Sequence, residues 1–285
     1  MIRTAKAPVR IDFAGGTTDI PPFPQERGGA VINAAIDKYV EGKIEKTTQG
    51  LSLSYDCKVP THFGLGTSGA MSLVWLALVL NYRDRKALAE GVFKLDRVLG
   101  LTSGKQDQYA SAFGGINYLE FIGDKVKMRH INLSKAKITK FENNLVLGYS
   151  EKMRRHEDLN KLVIDKLKKR NKQVIDSLEN VKKIALEMKK ALARGNLRKF
   201  AELMNQEWKN RKQMFPNYMT KQIDMVIKKG IESGALGAKV CGSGNGGVVL
   251  FYTEDKEKLK RNFGGFKKLK YLDFKIDLKG MQFGT

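Results

Sequence analysis

Cysteine is nearly missing from these 285 residues, with Cys57 and Cys241 the only two. They lie far apart and match no metal-binding or redox spacing, so a disulfide framework and a zinc ribbon are both excluded. Histidine is scarce as well. His62, His130 and His156 form no ligand spacing and read as structural or exposed. Long apolar runs are lacking: the longest, Met71 to Leu80, is too short to cross a bilayer. Met1 to Lys6 has no apolar signal core and runs straight into strand-like sequence. These absences predict a protein of the reducing cytoplasm with no membrane partner, in which the sequon at Asn132-Leu133-Ser134 goes unused.

Negative charge is in short supply too. Asp and Glu number 30 against 52 Lys and Arg, a formal charge of +22. Such a field draws polyanions, including nucleotides and phosphorylated metabolites. Nucleic-acid recognition asks for aromatic residues among the basic stretches, and Lys166 to Lys172 has none. The excess falls within long helical patterns, so lysine-coated helix faces are expected and nucleic acid is not an expected partner. A homodimer is left open.

What is present begins with Gly64-Leu65-Gly66-Thr67-Ser68-Gly69-Ala70, a glycine-rich turn that leads into the apolar segment Met71 to Leu80. Small residues before a helix let an anion approach unpaired N–H groups and the positive end of the helix dipole, which makes a phosphate cradle. Gly64, Gly66 and Gly69 also satisfy the dinucleotide pattern G-x-G-x-x-G, with Asp84 near the position of its acid. Gly242, Gly244 and Gly247 satisfy it again. Context argues against both. The second runs into Val248 to Tyr252, a strand where that unit needs a helix, and the first follows no clear buried strand. Gly100 to Gln106 fails as a P-loop, because Gln106 stands where Ser or Thr is required.

Periodicity places strands at Val9 to Ala14, Val31 to Thr47, Leu51 to Tyr55, Ile116 to Phe121 and Val126 to Ile131. Helices are expected at Ala70 to Asn81, Asp84 to Leu99 and Gly104 to Phe113. Beyond strand Leu145 to Tyr149 lie a helical zone from about Arg155 to Arg194 and helices at Leu197 to Met214 and Met219 to Ser233. Strands Ala238 to Cys241, Gly247 to Tyr252 and Leu272 to Leu278, with helix Asp255 to Asn262, close the chain. Strands and helices mix without strict alternation, which predicts an α+β protein of two halves divided near residue 143.

Three stretches carry the functional signal: Ala7 to Asp19, Gly64 to Ala70 and Lys239 to Gly247. In this order and over nearly the whole length, the chain resembles the GHMP kinase superfamily. The opening Arg10-Ile11-Asp12-Phe13-Ala14-Gly15-Gly16-Thr17-Thr18-Asp19 and the block Gly104 to Gly115 look most like the D-glycero-D-manno-heptose 7-phosphate kinases. The resemblance implies a ribosomal protein S5 domain 2-like half at 1–143 and a ferredoxin-like half at 144–285. It implies ATP and Mg²⁺ as cofactors and transfer of the γ-phosphate to a sugar hydroxyl, with the anomeric hydroxyl of the heptose phosphate as best match. The alternatives are an unphosphorylated sugar of the galactose, fucose or arabinose type, or a non-catalytic sugar or nucleotide sensor.

Phosphoryl transfer needs held phosphates, a metal and a hydroxyl placed in line. The resemblance assigns the phosphates to Gly64, Leu65, Gly66, Thr67, Ser68 and Gly69, and Mg²⁺ to Ser68 and Asp96, where relatives carry Glu. It makes Asp107 the base that accepts the hydroxyl proton and Arg10 its electrostatic partner. Asp19, Gly16, Thr17, Gly242 and Gly244 would meet the sugar. Each acid also has a plainer reading. Asp96 could pair with Arg97 or Lys94 on an exposed helix, Arg10 with Asp12, Asp107 could begin a helix, and Asp19 could shape a turn before Pro21-Pro22. Asn245 interrupts a small-residue run, at a position where its tolerance of left-handed backbone keeps the loop shape.

Overall fold

The strand-like opening extends into a ribbon that organises the first half. A computed structural model of the chain describes residues 2–48, 50–59, 64–149, 158–214, 221–242, 247–263 and 269–284. Strand β1 (Ile2–Ala14) is buried without interruption from Ala7 onward. Residues two apart on a strand share a face, so Arg10 and Asp12 lie on one side of β1 and Ile11 and Phe13 on the other. After helix α1 (Phe23–Arg27), the long β2 (Gly29–Thr47) runs back antiparallel to β1. The first part of β2 pairs with β4 (Ile116–Ile122) and its second part with β3 (Gly50–Cys57). β5 (Lys125–His130) forms one edge of the sheet, and β10 (Gln282–Gly284) closes the other by pairing with β1. Helices α2 (Thr67–Leu80), α3 (Arg85–Val98) and α4 (Gln106–Phe113) come between β3 and β4, and α2 and α4 both pack on β1.

The second half follows α5 (Lys135–Asn143). Its elements are β6 (Leu145–Tyr149), α6 (Leu159–Lys168), α7 (Lys172–Ala193), α8 (Leu197–Met214), α9 (Lys221–Glu232), β7 (Ala235–Val240), β8 (Val248–Thr253), α10 (Lys256–Asn262) and β9 (Lys270–Leu272). The four strands form an antiparallel sheet in the order β7-β8-β6-β9. Numbered within this half, that is the 2-3-1-4 order of a ferredoxin-like unit. The α+β expectation holds. Phe13 of β1, Phe141 of α5 and Phe200 of α8 meet edge-on, with centroids 5.0–5.5 Å apart. Each such contact contributes about 0.5–1.5 kcal/mol beyond simple burial, so the aromatic trio ties the second half to β1.

Several expected boundaries move. Helices α1 and α5 were not expected. The first starts directly after Pro21-Pro22, with Pro24 in its first turn where a missing N–H costs nothing. The second buries only Phe141, too little to leave an amphipathic pattern. The helical zone breaks in two: Arg170 turns left-handed (φ 53°), and Asn171 caps α7 by accepting from the Val174 N–H. Its first residues, 155–157, lie outside the described residues. The strand expected at Leu272 to Leu278 ends at Leu272, and Ile276 instead makes a single bridge to Ile36 of β2. Lysines along α7 stay largely on its exposed side, as the charge pattern implied.

Candidate active site

Arg10 projects from β1 into the junction between α2 and α4. Its Nε donates to Asp107 Oδ1 at 2.7 Å, its Nη2 lies 2.6 Å from the same oxygen, and its Nη1 donates to the Gly64 carbonyl. The plainer pairing of Arg10 with Asp12 gives way to Asp107. Asp107 does sit in the first turn of α4, yet its side chain turns to Arg10. Gly66 is the left-handed N-cap of α2 (φ 70°), and the helix has no side-chain cap. A Cβ on Gly66 would lie 3.1 Å from Arg10 Cγ and 3.2 Å from Asp107 Cγ, and one on Gly69 would lie 2.8 Å from Asp107 Cβ. These two glycines therefore bring the helix start against the acid.

Gly64 has a different task. A Cβ there would stand 2.4 Å from the Cys241 carbonyl oxygen, and one on Gly242 would stand 2.6 Å from Gly64 Cα. The second and third glycine stretches thus touch backbone to backbone. Gly244 lies outside the described residues, as do Asn245, His62 and His156.

Ser68, Thr17, Asp19, Asp107 and Gly242 share a pocket of about 160 Å³ with Arg10. Ser68 is exposed there, whereas Thr67 Oγ1 is buried with no partner among the described residues. Asp19 is 2 % exposed. Its Oδ2 accepts from the Gln106 N–H at 2.9 Å, while Oδ1 is buried with no hydrogen-bond partner among the described residues. Burial, reinforced by nearby Asp107, pushes the Asp19 carboxyl up to about 6. Gly104 accommodates it, since a Cβ there would fall 2.0 Å from Asp19 Oδ2.

Asp96 does not line this pocket. It is 8 % exposed, and its Oδ2 accepts from Ser103 Oγ (2.8 Å) and Gln108 Nε2 (3.1 Å). The surface pairing with Arg97 or Lys94 is therefore not what holds it. Burial, with Asp107 adding to it, raises its pKa, and no cation is among the groups that shift it. Ser103, which lines the pocket, links Asp96 to it.

Beneath the pocket lies a fully buried charge chain that the sequence reading missed. Lys239 of β7 sits 2.7 Å from Asp12 Oδ2 and 3.4 Å from Glu207 Oε2. Glu207 Oε1 takes Arg211 at 2.8 Å, one turn further along α8. Arg211 Nη2 also donates to the Gly16 carbonyl (3.2 Å), and Nη1 to Thr17 Oγ1 (3.4 Å). Asp12 Oδ1 accepts from the Gly242 N–H. Burial alone would raise the Asp12 carboxyl, but Lys239, Arg10 and Arg211 together bring it down to about 2. One signal was available. Glu207 and Arg211 continue the stripe of Phe200 and Met204 along α8, placing charges on a face that otherwise turns inward.

A model described as the GHMP kinases N terminal domain matches residues 30–115, and one described as GHMP kinases C terminal matches residues 188–265. The D-glycero-alpha-D-manno-heptose 7-phosphate kinase of Campylobacter jejuni is 26% identical over 90% of this chain and 91% of its own. The bifunctional fucokinase/GDP-fucose pyrophosphorylase of Arabidopsis thaliana is 24% identical over 89% of this chain and 30% of its own. The crystal structure of a D-glycero-D-manno-heptose 1-phosphate kinase from Bacteriodes thetaiotaomicron aligns with a TM-score of 0.81 at 22% identity. It covers 100% of this chain and 99% of that one, a likeness of fold.

Proposed function

The chain belongs to the GHMP kinases, phosphotransferases with an alcohol acceptor, and from that premise we propose that it phosphorylates the anomeric hydroxyl of a D-glycero-D-manno-heptose 7-phosphate with ATP. The observation that carries this reading is the Arg10–Asp107 pair, which shares one pocket with Ser68 at the start of α2 and with Asp19, whose Oδ1 has no partner among the described residues. Arg10 fixes Asp107 Oδ1, leaving Oδ2 to take the acceptor proton. As that proton leaves, the sugar oxygen bonds to the γ-phosphorus, the bond from the γ-phosphorus to the bridging oxygen breaks, and ADP departs.

The phosphates would lie on the N–H groups of the first turn of α2, with Gly64, Leu65, Gly66, Thr67, Ser68 and Gly69 forming the cradle and Thr67 Oγ1, which has no partner among the described residues, within it. Mg²⁺ would be held by Ser68 and Asp96. Both offer hard oxygen, and Asp96, buried outside the pocket, is linked to it through Ser103. The ion would spread the charge of the phosphates. Asp19, Gly16, Thr17, Gly242 and Gly244 would form the acceptor side. The two halves would divide at 143/144, with residues 282–284 returning to the first sheet. A cytoplasmic setting accompanies this reading. No helix among the described residues is long and apolar enough to cross a membrane.

One observation favours a second reading. Among the described residues that line the pocket, Arg10 is the one cation, and it is engaged by Asp107. A sugar without a 7-phosphate would need no further cation. ADP release with ATP and Mg²⁺ against a panel of sugars and sugar phosphates separates the two. Preference for heptose 7-phosphate over heptose supports the first, and preference for a free sugar supports the second. Asp107→Asn should lose about 10²- to 10⁴-fold in kcat, the range for a lost general base. Turnover that survives the substitution removes Asp107 from the mechanism, and silence across the whole panel removes the kinase reading.

A further inference from the structure

Thr17 stands in left-handed backbone at φ 77°. For a β-branched residue this conformation is costly and persists only where its surroundings impose it. Among the described residues, the other two non-glycine residues with positive φ, Asn81 and Arg170, lie at helix ends, where such backbone is ordinary. Thr17 instead begins the turn that carries Asp19 into the pocket, closed by the Ile20 N–H donating to the Thr17 carbonyl.

From the second half, α8 reaches this turn through one side chain. Arg211 has no exposure, and its guanidinium holds three partners at once: Glu207 Oε1, the Gly16 carbonyl and Thr17 Oγ1. The rigid, planar fork of arginine makes this possible, and a lysine ammonium offers no equivalent geometry. Gly16 leaves room for it, since a Cβ there would lie 3.1 Å from Arg211 Nη2. A buried ion pair gains little stability over apolar residues of the same size, so core packing alone does not explain a charged pair here. The same chain of charges runs through Lys239 and Asp12 to the N–H of Gly242, which also lines the pocket.

We infer that Arg211, oriented by Glu207, is a positioning residue that sets the Gly16–Thr17 turn and thereby the placement of Asp19 toward the acceptor. The inference rests on reading the pocket as the acceptor site. Arg211 touches no reacting atom. It acts through the turn, so its loss falls on acceptor binding and leaves ATP binding in place.

Two variants test this. Arg211→Lys keeps a charge opposite Glu207 but lacks the fork. Glu207→Gln combined with Arg211→Met removes the pair without leaving a lone buried charge, and Lys239 keeps Asp12. Amide hydrogen exchange of the protein without ligands is read at residues 16–20, with α2 and α9 as internal references. Exchange at 16–20 should rise at least tenfold in both variants while the references stay as in the parent. In turnover with heptose 7-phosphate, KM for the sugar should rise about tenfold or more, and KM for ATP should stay within twofold. Parental exchange at 16–20 together with a parental sugar KM overturns the inference. So does a uniform rise in exchange, or a parallel rise in both KM values, because either marks a structural role. If the double variant does not fold, Arg211→Lys decides alone. A parent that phosphorylates no sugar sinks the proposed function, and the exchange measurement still decides the role of Arg211.

Discussion

Asp19 holds one carboxylate oxygen on the Gln106 N–H and buries the other with no partner among the described residues, and burial lifts its pKa from 3.8 to about 6. A carboxyl raised in this way favours the folded state fully only below its unfolded pKa, and that advantage disappears as pH rises through the folded value. Ionised Asp19 therefore costs the fold stability above about pH 6 and nothing below about pH 4. At 1.36 kcal/mol per unit, a shift of this size amounts to about 3 kcal/mol at neutral pH. Asp19→Asn keeps a carbonyl for the Gln106 N–H and cannot ionise. Chemical unfolding at pH 4, 5.5 and 7.5 should show the variant about 3 kcal/mol more stable than the parent at pH 7.5, less so at pH 5.5, and level at pH 4. The same variant should raise the acceptor KM at least tenfold, the usual exchange of stability for a poised site. A stability difference that does not change with pH, or a parent more stable at pH 7.5, refutes the reasoning. Either result would mean that the unpartnered oxygen is already compensated in the folded protein.

Gly66→Ala places a methyl 3.1–3.2 Å from Arg10 and Asp107 in left-handed backbone. It should cost about 1–2 kcal/mol of stability and lower kcat about tenfold through displacement of the acid. A kcat within twofold of the parent counts against Asp107 as the base. Lys239→Met leaves Asp12 buried with fewer cations around it and should destabilise by about 3–5 kcal/mol at pH 7 in chemical unfolding. Because the Asp12 carboxyl is depressed to about 2, its contribution exists above about pH 4 and is lost as pH falls toward 2. The penalty of Lys239→Met should shrink over that range, and a constant penalty argues that Lys239 acts through packing.

The resemblance carried by β1 and the glycine stretches named Arg10, Thr17, Asp19, Ser68, Asp107 and Gly242, and the structure brings these six to one pocket. Arg10 and Asp12 are charged residues two apart in the otherwise apolar run Val9 to Ala14, and Asp107 falls in the block Gly104 to Gly115 that carries the resemblance. The glycines of 64–69 were legible as a turn before a helix. Their division of labour was not, because Gly64 faces Cys241, 177 residues away, while Gly66 and Gly69 face Asp107. Edges were the weak point of the fold reading. Helix α5 buries one phenylalanine, β10 is three residues long, and β9 stops where the sequence pattern continues. Segments this short gain their structure from what they dock against.

Glu207, Arg211 and Asp96 show why the rest stayed hidden. Opposite charges four apart on a helix are ordinarily a solvated surface pair, and an Asp beside Arg97 and Lys94 reads the same way. What reverses both readings is the position of another element. The Gly16–Thr17 turn supplies two acceptors that cover Arg211, and Ser103 and Gln108 close over Asp96. Burial turns each group from a surface ornament into one that needs a partner, because an unpaired charge in the interior costs several kcal/mol. Arg211 has its partners within the fold, so it serves position. Asp19 Oδ1 and Thr67 Oγ1 do not have theirs among the described residues. They lie on the acceptor side and the phosphate side of the proposed site, and a sugar hydroxyl and a phosphate oxygen are the partners that would satisfy them.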